Sequence, residues 1–129
     1  MQRSRYSFVL DLQSTETQIC LVASQGDTRR EIAITFSDGG VPFGLDVADT
    51  VEIYIDGAGG TLIESCDLVK IDAKNESDDA EYSVLYPFSA QTCANEGLHK
   101  CRLNIIGKSG TLWSPPFSLF VAPKKTETT

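Results

Sequence analysis

Apolar and polar residues alternate along much of the chain, most clearly in residues 31–36. Ile32, Ile34 and Phe36 fall on one face of an extended strand there, because successive side chains of a strand point to opposite faces. Three further segments alternate in the same way, at positions 51–56, 81–86 and 101–105. Strands with one apolar and one polar face are typical of sheets that cover a core on one side and meet water on the other.

The alternation predicts nine strands, which lie near Tyr6–Leu12, Thr17–Val22, Arg29–Phe36, Thr50–Asp56, Thr61–Cys66, Leu68–Asp72, Glu81–Pro87, Leu98–Ile106 and Phe117–Val121. Turn-forming residues separate them at intervals of about eight to twelve residues, a spacing typical of a β-sandwich or barrel. Asp38-Gly39-Gly40 provides a tight reversal. Pro42 then places the returning segment at a sheet edge or in a loop, because proline cannot donate to a ladder. Only Ser89–Glu96 favours a helical turn.

The chain of 129 residues has room for one domain, which we assign to residues 1–122, followed by a polar tail at 123–129. Its 41% hydrophobic and 22% charged residues are typical of a globular protein. No apolar run approaches about 18 residues, so we expect no membrane span. The basic N-terminus leads into an alternating segment interrupted by Asp11 and lacks a signal-peptide core, so we expect an unsecreted chain.

The formal net charge is −7, and the positive residues are scattered along the sequence. Proteins that bind nucleic acid or anionic membranes without sequence preference usually carry a basic patch. The charge therefore predicts that neither nucleic acid nor a membrane is a partner.

Four cysteines occur, Cys20, Cys66, Cys93 and Cys101. Without an export signal, free thiols packed as small apolar groups are the expected state. A Cys93–Cys101 bridge is the alternative that the sequence leaves open. An antibody-like core disulfide is disfavoured, because the only tryptophan, Trp113, follows all four cysteines.

His99 is the only histidine, so any Ser-His-Asp or Cys-His catalysis would have to use it. Cys66, Cys93 and Cys101 could complete a zinc site with it, but the tight C-x₂₋₄-C knuckles of structural zinc sites are absent. No nucleophile-elbow sequence accompanies the serines or cysteines. We therefore expect a hydrogen-bonded histidine at the end of the core, no metal and no enzymatic activity.

Acidic residues are densest at Asp72, Glu76, Asp78, Asp79 and Glu81. A calcium loop would need ligands at alternating positions and a central glycine, which this segment lacks, so we interpret it as a solvated loop. Gly57-Ala58-Gly59-Gly60 follows a strand and precedes another strand, which favours a turn over a dinucleotide fingerprint. We expect no cofactor.

With no supported chemistry, the outer surface of the sandwich is the candidate for function. Tyr54 should point away from the apolar face of its strand, and Arg102 and Ile106 should share that outer face on a neighbouring strand. Tyrosine and arginine are enriched in the centres of protein interfaces. The alternative is that an isolated exposed tyrosine has no function.

The ordered series of elements carries a resemblance. Its segments are Tyr6–Leu12, Gln25–Asp27, Ile32–Phe36, Asp38–Leu45, Thr61–Ile63 and Gly110–Val121. This series is similar to the N-terminal domain of phage baseplate upper proteins and to related tail-fibre attachment domains of phages and prophages that infect Gram-positive bacteria. Many members of that family continue into a longer fibre or receptor-binding region. The sequence leaves open whether this chain is an excerpt or a stand-alone domain.

The resemblance implies an immunoglobulin-like antiparallel β-sandwich of about seven to nine strands. It implies a non-enzymatic module of the virion tail, assembled in the bacterial cytoplasm, that docks a baseplate or receptor-binding component. Its partners would be other tail or baseplate proteins, with homo-oligomerisation left open. The alternative is a bacterial cell-surface or carbohydrate-binding module, in which exposed aromatic residues stack on sugar rings.

Overall fold

The computed structural model describes residues 2–16, 19–77 and 79–124. These residues form eleven β-strands and no helix. The strands in chain order are β1 (Ser4–Asp11), β2 (Cys20–Ser24), β3 (Arg30–Asp38), β4 (Val41–Phe43), β5 (Thr50–Gly57), β6 (Gly60–Ser65), β7 (Asp67–Lys70), β8 (Tyr82–Pro87), β9 (Gly97–Gly107), β10 (Gly110–Trp113) and β11 (Phe117–Ala122). The all-β sandwich predicted from the alternation is confirmed.

The strands form two sheets. The five-stranded sheet has the order β1-β3-β8-β7, with β4 paired to β3, and the six-stranded sheet has the order β2-β11-β9-β5-β6, with β10 paired to β9. Nine of the strands match the predicted ones, with ends shifted by a few residues, whereas β4 and β10 are additional. Thr17 and Gln18, at the start of the second predicted strand, lie outside the described residues.

Two of the strand pairs are parallel, which the prediction of an antiparallel sandwich does not include. β1 pairs with β3 from Ser4↔Arg30 to Asp11↔Ser37, and β2 pairs with β11. Both parallel pairs involve the first two strands, each of which is the edge of its sheet. The chain therefore crosses from one sheet to the other between β1 and β2 along one side of the sandwich.

The core lies between the sheets and is filled by the inward residues of both. Side chains with no exposed surface are Ile34, Ile53, Cys101, Leu103, Phe117, Leu119 and Val121. Phe8 of β1 packs edge-on against Phe117 of β11, with ring centroids 5.2 Å apart. These contacts join the N-terminal strand of one sheet to the C-terminal strand of the other, so the whole chain contributes to a single core.

A buried polar cluster also joins the two sheets. Tyr86 of β8 is 2% exposed, and its hydroxyl donates to Glu64 of β6 and lies 2.7 Å from the Thr92 hydroxyl. Ser89 Oγ donates to the same Glu64 carboxylate at 2.8 Å. Burial, with the nearby carboxylate of Glu64, raises the pKa of Tyr86, so the tyrosine stays neutral and remains a donor.

The segment predicted to hold a helical turn, Ser89–Glu96, forms successive turns instead. The Ser89 amide donates to Thr92 Oγ1 at 2.9 Å, and the Gln91 amide donates to Ser89 Oγ at 3.1 Å. The backbone bonds of the segment are two separate i→i+3 contacts, from the Thr92 amide to the Ser89 carbonyl and from the Ala94 amide to the Gln91 carbonyl, both at 3.3 Å. They close turns without forming a run of helical bonds, so the expected helical turn is not found.

Asp11, at the end of β1, holds the β3–β4 turn. Its carboxylate accepts hydrogen bonds from the amides of Gln13, Gly39 and Gly40 at 2.8–3.0 Å and from the Ser37 hydroxyl at 3.0 Å. Gly39 and Gly40 have φ of 63° and 86°, which favour glycine. The backbone amides stabilise the charged form and lower the pKa of Asp11 to about 2.

All four cysteines lie within the described residues and are free thiols. Cys93 and Cys101 are in the core at 1% and 0% exposure, Cys66 is half-buried, and Cys20 is exposed. Burial raises the pKa of Cys66 and Cys101 to about 12 and that of Cys93 to about 11. The buried thiols are therefore protonated near neutral pH and are poor nucleophiles.

We expect Tyr86→Phe to lower the free energy of unfolding by about 1–3 kcal/mol, because Glu64 and Thr92 stay in place but lose a buried partner. Urea unfolding of the wild type and the variant measures this loss. Tyr82→Phe, on the same strand and half-buried, is the matched control. Equal losses in both variants would contradict the role of the hydroxyl in joining the sheets.

Asp11 should make stability depend on pH in the acid range. Its pKa in the folded protein is about 2, below the ordinary value of 3.8. Its contribution is therefore complete above about pH 4 and is lost as the pH falls toward 2. Asp11→Asn should reduce the slope of the unfolding free energy against pH over this range, as measured by urea unfolding at stepped pH. Parallel slopes for the two proteins would count against the assignment.

The thiols should differ in reactivity by exposure. At mildly alkaline pH a disulfide-exchange reagent should label one thiol per native chain promptly, and Cys20→Ser should remove that signal. In denaturant without reductant, all four cysteines of the wild type should react. Only two reactive thiols under those conditions would instead support a disulfide.

Candidate protein interface

The residues predicted to form an interface lie on the outer face of the six-stranded sheet. Tyr54 of β5 and Arg102 of β9 are direct cross-strand partners. They point outward because Ile53 and Ile55, their inward neighbours, are 0% and 3% exposed. Ile106 lies farther along β9 on the same face and is 37% exposed. Topology therefore brings the three predicted residues onto one surface.

Trp113 is the residue of this surface that the sequence prediction missed. Its ring packs edge-on against Tyr54, with centroids 5.0 Å apart and planes at 65°. The Arg102 guanidinium carbon lies 4.6 Å from the Trp113 ring centroid, a cation–π contact. Trp113 remains 42% exposed. We call Tyr54, Arg102, Ile106 and Trp113 the aromatic patch.

The hairpin between β9 and β10 places Trp113 in this patch. Gly107 and Gly110 close the hairpin, and Gly110 has a φ of 135°, which favours glycine. The register then sets Trp113 opposite Asn104, on the outer face of β9. The sequence contains a signal for this pairing, the two-residue turn Lys108-Ser109 between two glycines. If Gly107 pairs with Gly110, each step away from the turn pairs the next two residues, and Trp113 comes to lie opposite Asn104.

Asn104 lies beneath the patch. It alternates with the inward Leu103 and Ile105, so its side chain belongs to the outer face, yet it is only 8% exposed. Its Oδ1 atom is buried and has no hydrogen-bond partner among the described residues. Trp113, its cross-strand neighbour, leans over β9 to reach Tyr54. The tryptophan therefore shields a polar group at the centre of the face.

A second apolar group lies on the same outer face, nearer the other end of the strands. Phe120 of β11 pairs with Leu98 of β9 and with Val22 of β2. These residues are 39%, 64% and 57% exposed. Lys100 and Ser118 separate them from the aromatic patch. The outer face of this sheet thus exposes more large apolar side chains than a solvated face needs, a feature of surfaces that bind other proteins.

The surroundings of His99 indicate a structural role for this residue. It is 5% exposed, and its Nε2 lies 2.9 Å from the carbonyl of Asn95. Gly57 passes so close that a Cβ there would lie 2.0 Å from His99 Nδ1, so the glycine is required for packing. Within the described residues no group of three or more His, Cys, Asp or Glu side chains could hold a metal ion.

The acidic segment forms the loop between β7 and β8. Asp72, Glu76, Asp79 and Glu81 are exposed, and Asp78 lies outside the described residues. The Asp72 and Asn75 side chains accept hydrogen bonds from the backbone amides of Lys74 and Ser77, so the loop is shaped by its own polar groups.

In the part of the chain that the structure describes, no helix is long and apolar enough to cross a membrane.

No protein-family model matches the chain, and no curated protein sequence matches it. A solved structure that it resembles is the N-terminal domain of phage TP901-1 ORF48, with a TM-score of 0.62 at 13% sequence identity. The match covers 95% of this chain and 99% of that chain. This chain therefore shares, over nearly its whole length, the fold of the N-terminal domain of a phage protein.

Proposed function

We propose that the protein is a structural and interaction module of a phage or prophage tail, and that it docks a baseplate or receptor-binding fibre component. Two observations support this function. The order of strands and turns in the sequence resembles the baseplate upper protein family, and the fold is similar to an N-terminal domain from a phage protein. The module would act in the virion tail, by binding and without catalysis.

The aromatic patch carries the proposal for the docking surface. Tyrosine, tryptophan and arginine are the residues most often found where interface binding energy concentrates. Here they touch one another on a sheet, with the ring centroids of Tyr54 and Trp113 5.0 Å apart and the Arg102 guanidinium over the tryptophan ring. A preformed cluster loses little side-chain entropy on binding, because its rotamers are already fixed by mutual contact.

A carbohydrate-binding module is the second candidate, and the exposure of Trp113 favours it. Sugar rings stack on an open aromatic face. Arg102 occupies one face of Trp113, and Tyr54 packs against the ring at a steep angle, which leaves little flat platform. The geometry therefore supports protein docking better than sugar stacking.

We expect Tyr54→Ala, Arg102→Ala and Trp113→Ala each to weaken binding to the docking partner by about thirtyfold or more, as loss of an interface anchor of ~2 kcal/mol requires. Ile106→Ala should cost less, since the side chain lies at the margin of the patch. Calorimetry against the tail proteins encoded beside this chain measures these affinities. Val9→Ala, 53% exposed on the outer face of the other sheet, is the control and should bind normally.

Two results would count against this proposal. Binding to a cell-wall polysaccharide without binding to any tail protein would favour the carbohydrate module. Normal affinity in all three aromatic-patch variants would place the interface elsewhere, with the unpaired edge of a sheet as the next candidate.

Glu76→Gln, in the acidic loop, should alter the association rate and its salt dependence more than the dissociation rate.

A further inference from the structure

Four of the five arginines of the chain lie together in space: Arg3, Arg5, Arg29 and Arg30. β1 and β3 run parallel, with Ser4 opposite Arg30 and Arg5 opposite Glu31. The first residues of both strands therefore meet at one end of the five-stranded sheet. We call these four residues the arginine end. A positive cluster is unexpected in a chain with a net charge of −7.

Two of these arginines are neutralised within the molecule, and two are not. Arg5 pairs with Glu31 and Arg30 pairs with Asp27, each at 2.6 Å. Arg3 and Arg29 form no ion pair with a described residue.

Backbone carbonyls hold the two remaining guanidinium groups in place. Arg3 Nη1 donates to the carbonyl of Thr28 at 2.6 Å, and Arg29 donates to the carbonyl of Gln2 at 2.9 Å. These contacts orient the groups without neutralising them. A guanidinium has five N–H donors, so further donors remain for an external acceptor.

Arg29, but not Arg3, lines a groove of about 300 Å³, together with Gln2, Ser4, Asp27 and Arg30. Arginine guanidinium groups bind carboxylates through paired hydrogen bonds, which makes a carboxylate the natural ligand for such a groove. The Asp27 carboxylate on its wall is occupied by Arg30 and by the amide of Ser24. The groove therefore presents positive donors to whatever enters it.

The opposite end of the same molecule is acidic. It carries Asp38, Asp46, Asp49, Asp72, Glu76, Asp79 and Glu81, with Lys70, Lys74 and Lys108 as its cations. The acidic loop joins the end of β7 to the start of β8, and the end of β8 pairs near the start of β3. Since β3 spans nine residues, the two ends lie about 25–30 Å apart.

We propose that the arginine end of one copy binds the acidic loop of a second copy, with Glu76 or Glu81 entering the groove beside Arg29. Charge complementarity between the two ends argues for this occupant. The contact is heterologous, because it joins two different surfaces, so it builds a head-to-tail row or, where the rotation closes, a ring. The net charge opposes the approach of two copies, but Coulomb energy falls with distance, so the opposite charges that meet in the contact outweigh the like charges that lie farther apart.

Sedimentation velocity of the purified chain at about 20 mM and about 0.5 M salt tests the proposal, since the screening length falls from about 20 Å to about 4 Å between them. We expect concentration-dependent association at low salt and its loss at high salt. Arg29→Glu should weaken association at least tenfold. Lys100→Glu, on the outer face of the six-stranded sheet, makes the same change in charge on the other sheet and should leave association unchanged.

Ser4→Glu is a second variant, because it adds a carboxylate to the groove and leaves every arginine in place. It should weaken association as Arg29→Glu does, and urea unfolding establishes that both variants are folded. Glu76→Lys/Glu81→Lys changes the other end and should also fail to self-associate at low salt.

Mixing the two kinds of variant gives the sharpest result. The Arg29→Glu chain keeps a native acidic loop, and the Glu76→Lys/Glu81→Lys chain keeps a native arginine end. An equimolar mixture should therefore associate more strongly than either variant alone. A monomeric wild type at low salt, association that Arg29→Glu does not weaken, or a mixture that stays monomeric would each overturn the proposal.

Discussion

The register between β5 and β9 is the constraint on which the rest of the structure depends. Val51, Ile53 and Ile55 pair with Ile105, Leu103 and Cys101, and all six side chains are buried at the centre of the core. The residues between them, which include Tyr54 and Arg102, are therefore forced to the outer face. A slip of one residue would exchange the two sets, because strand side chains alternate with a period of two. Burial of the core and display of the aromatic patch are thus consequences of the same pairing.

The periodicity of the sequence predicted most of this arrangement, and its failures have physical reasons. Long strands with alternating faces, such as β3 and β5, are predictable from the sequence because every second side chain has to be apolar to pack into the core. β4 and β10 contain three and four residues and bury none of them fully, so they carry no periodic signal. Trp113 lies on β10, and it was missed for that reason. The outward direction of Tyr54 and Arg102 followed from their strands, whereas the contact between Tyr54 and Trp113 depends on the hairpin register.

The clustering of charged residues in space is a second feature that the periodicity of the sequence does not predict. The arginines are scattered along the sequence, and sequence alone suggested no positive patch. The parallel pairing of β1 with β3 brings residues 3–5 beside residues 29–30, although about 25 positions separate them. The alternation of apolar and polar residues does not predict whether two neighbouring strands pair in parallel, because parallel and antiparallel strands alternate in the same way. The positive end of the molecule is therefore a product of topology.

The two proposed surfaces use different geometric features of the sandwich, and both can be occupied at once. The aromatic patch lies on the flat outer face of one sheet, whereas the arginine end and the acidic loop lie at opposite ends of the strands. A head-to-tail row would therefore leave the outer faces uncovered and repeat the aromatic patch along its length. Each docking contact could then be weak, because neighbouring copies hold the others close to their partners and raise the effective concentration. Salt would weaken the row through its ionic contacts while sparing the largely apolar docking contact, since screening acts on charges.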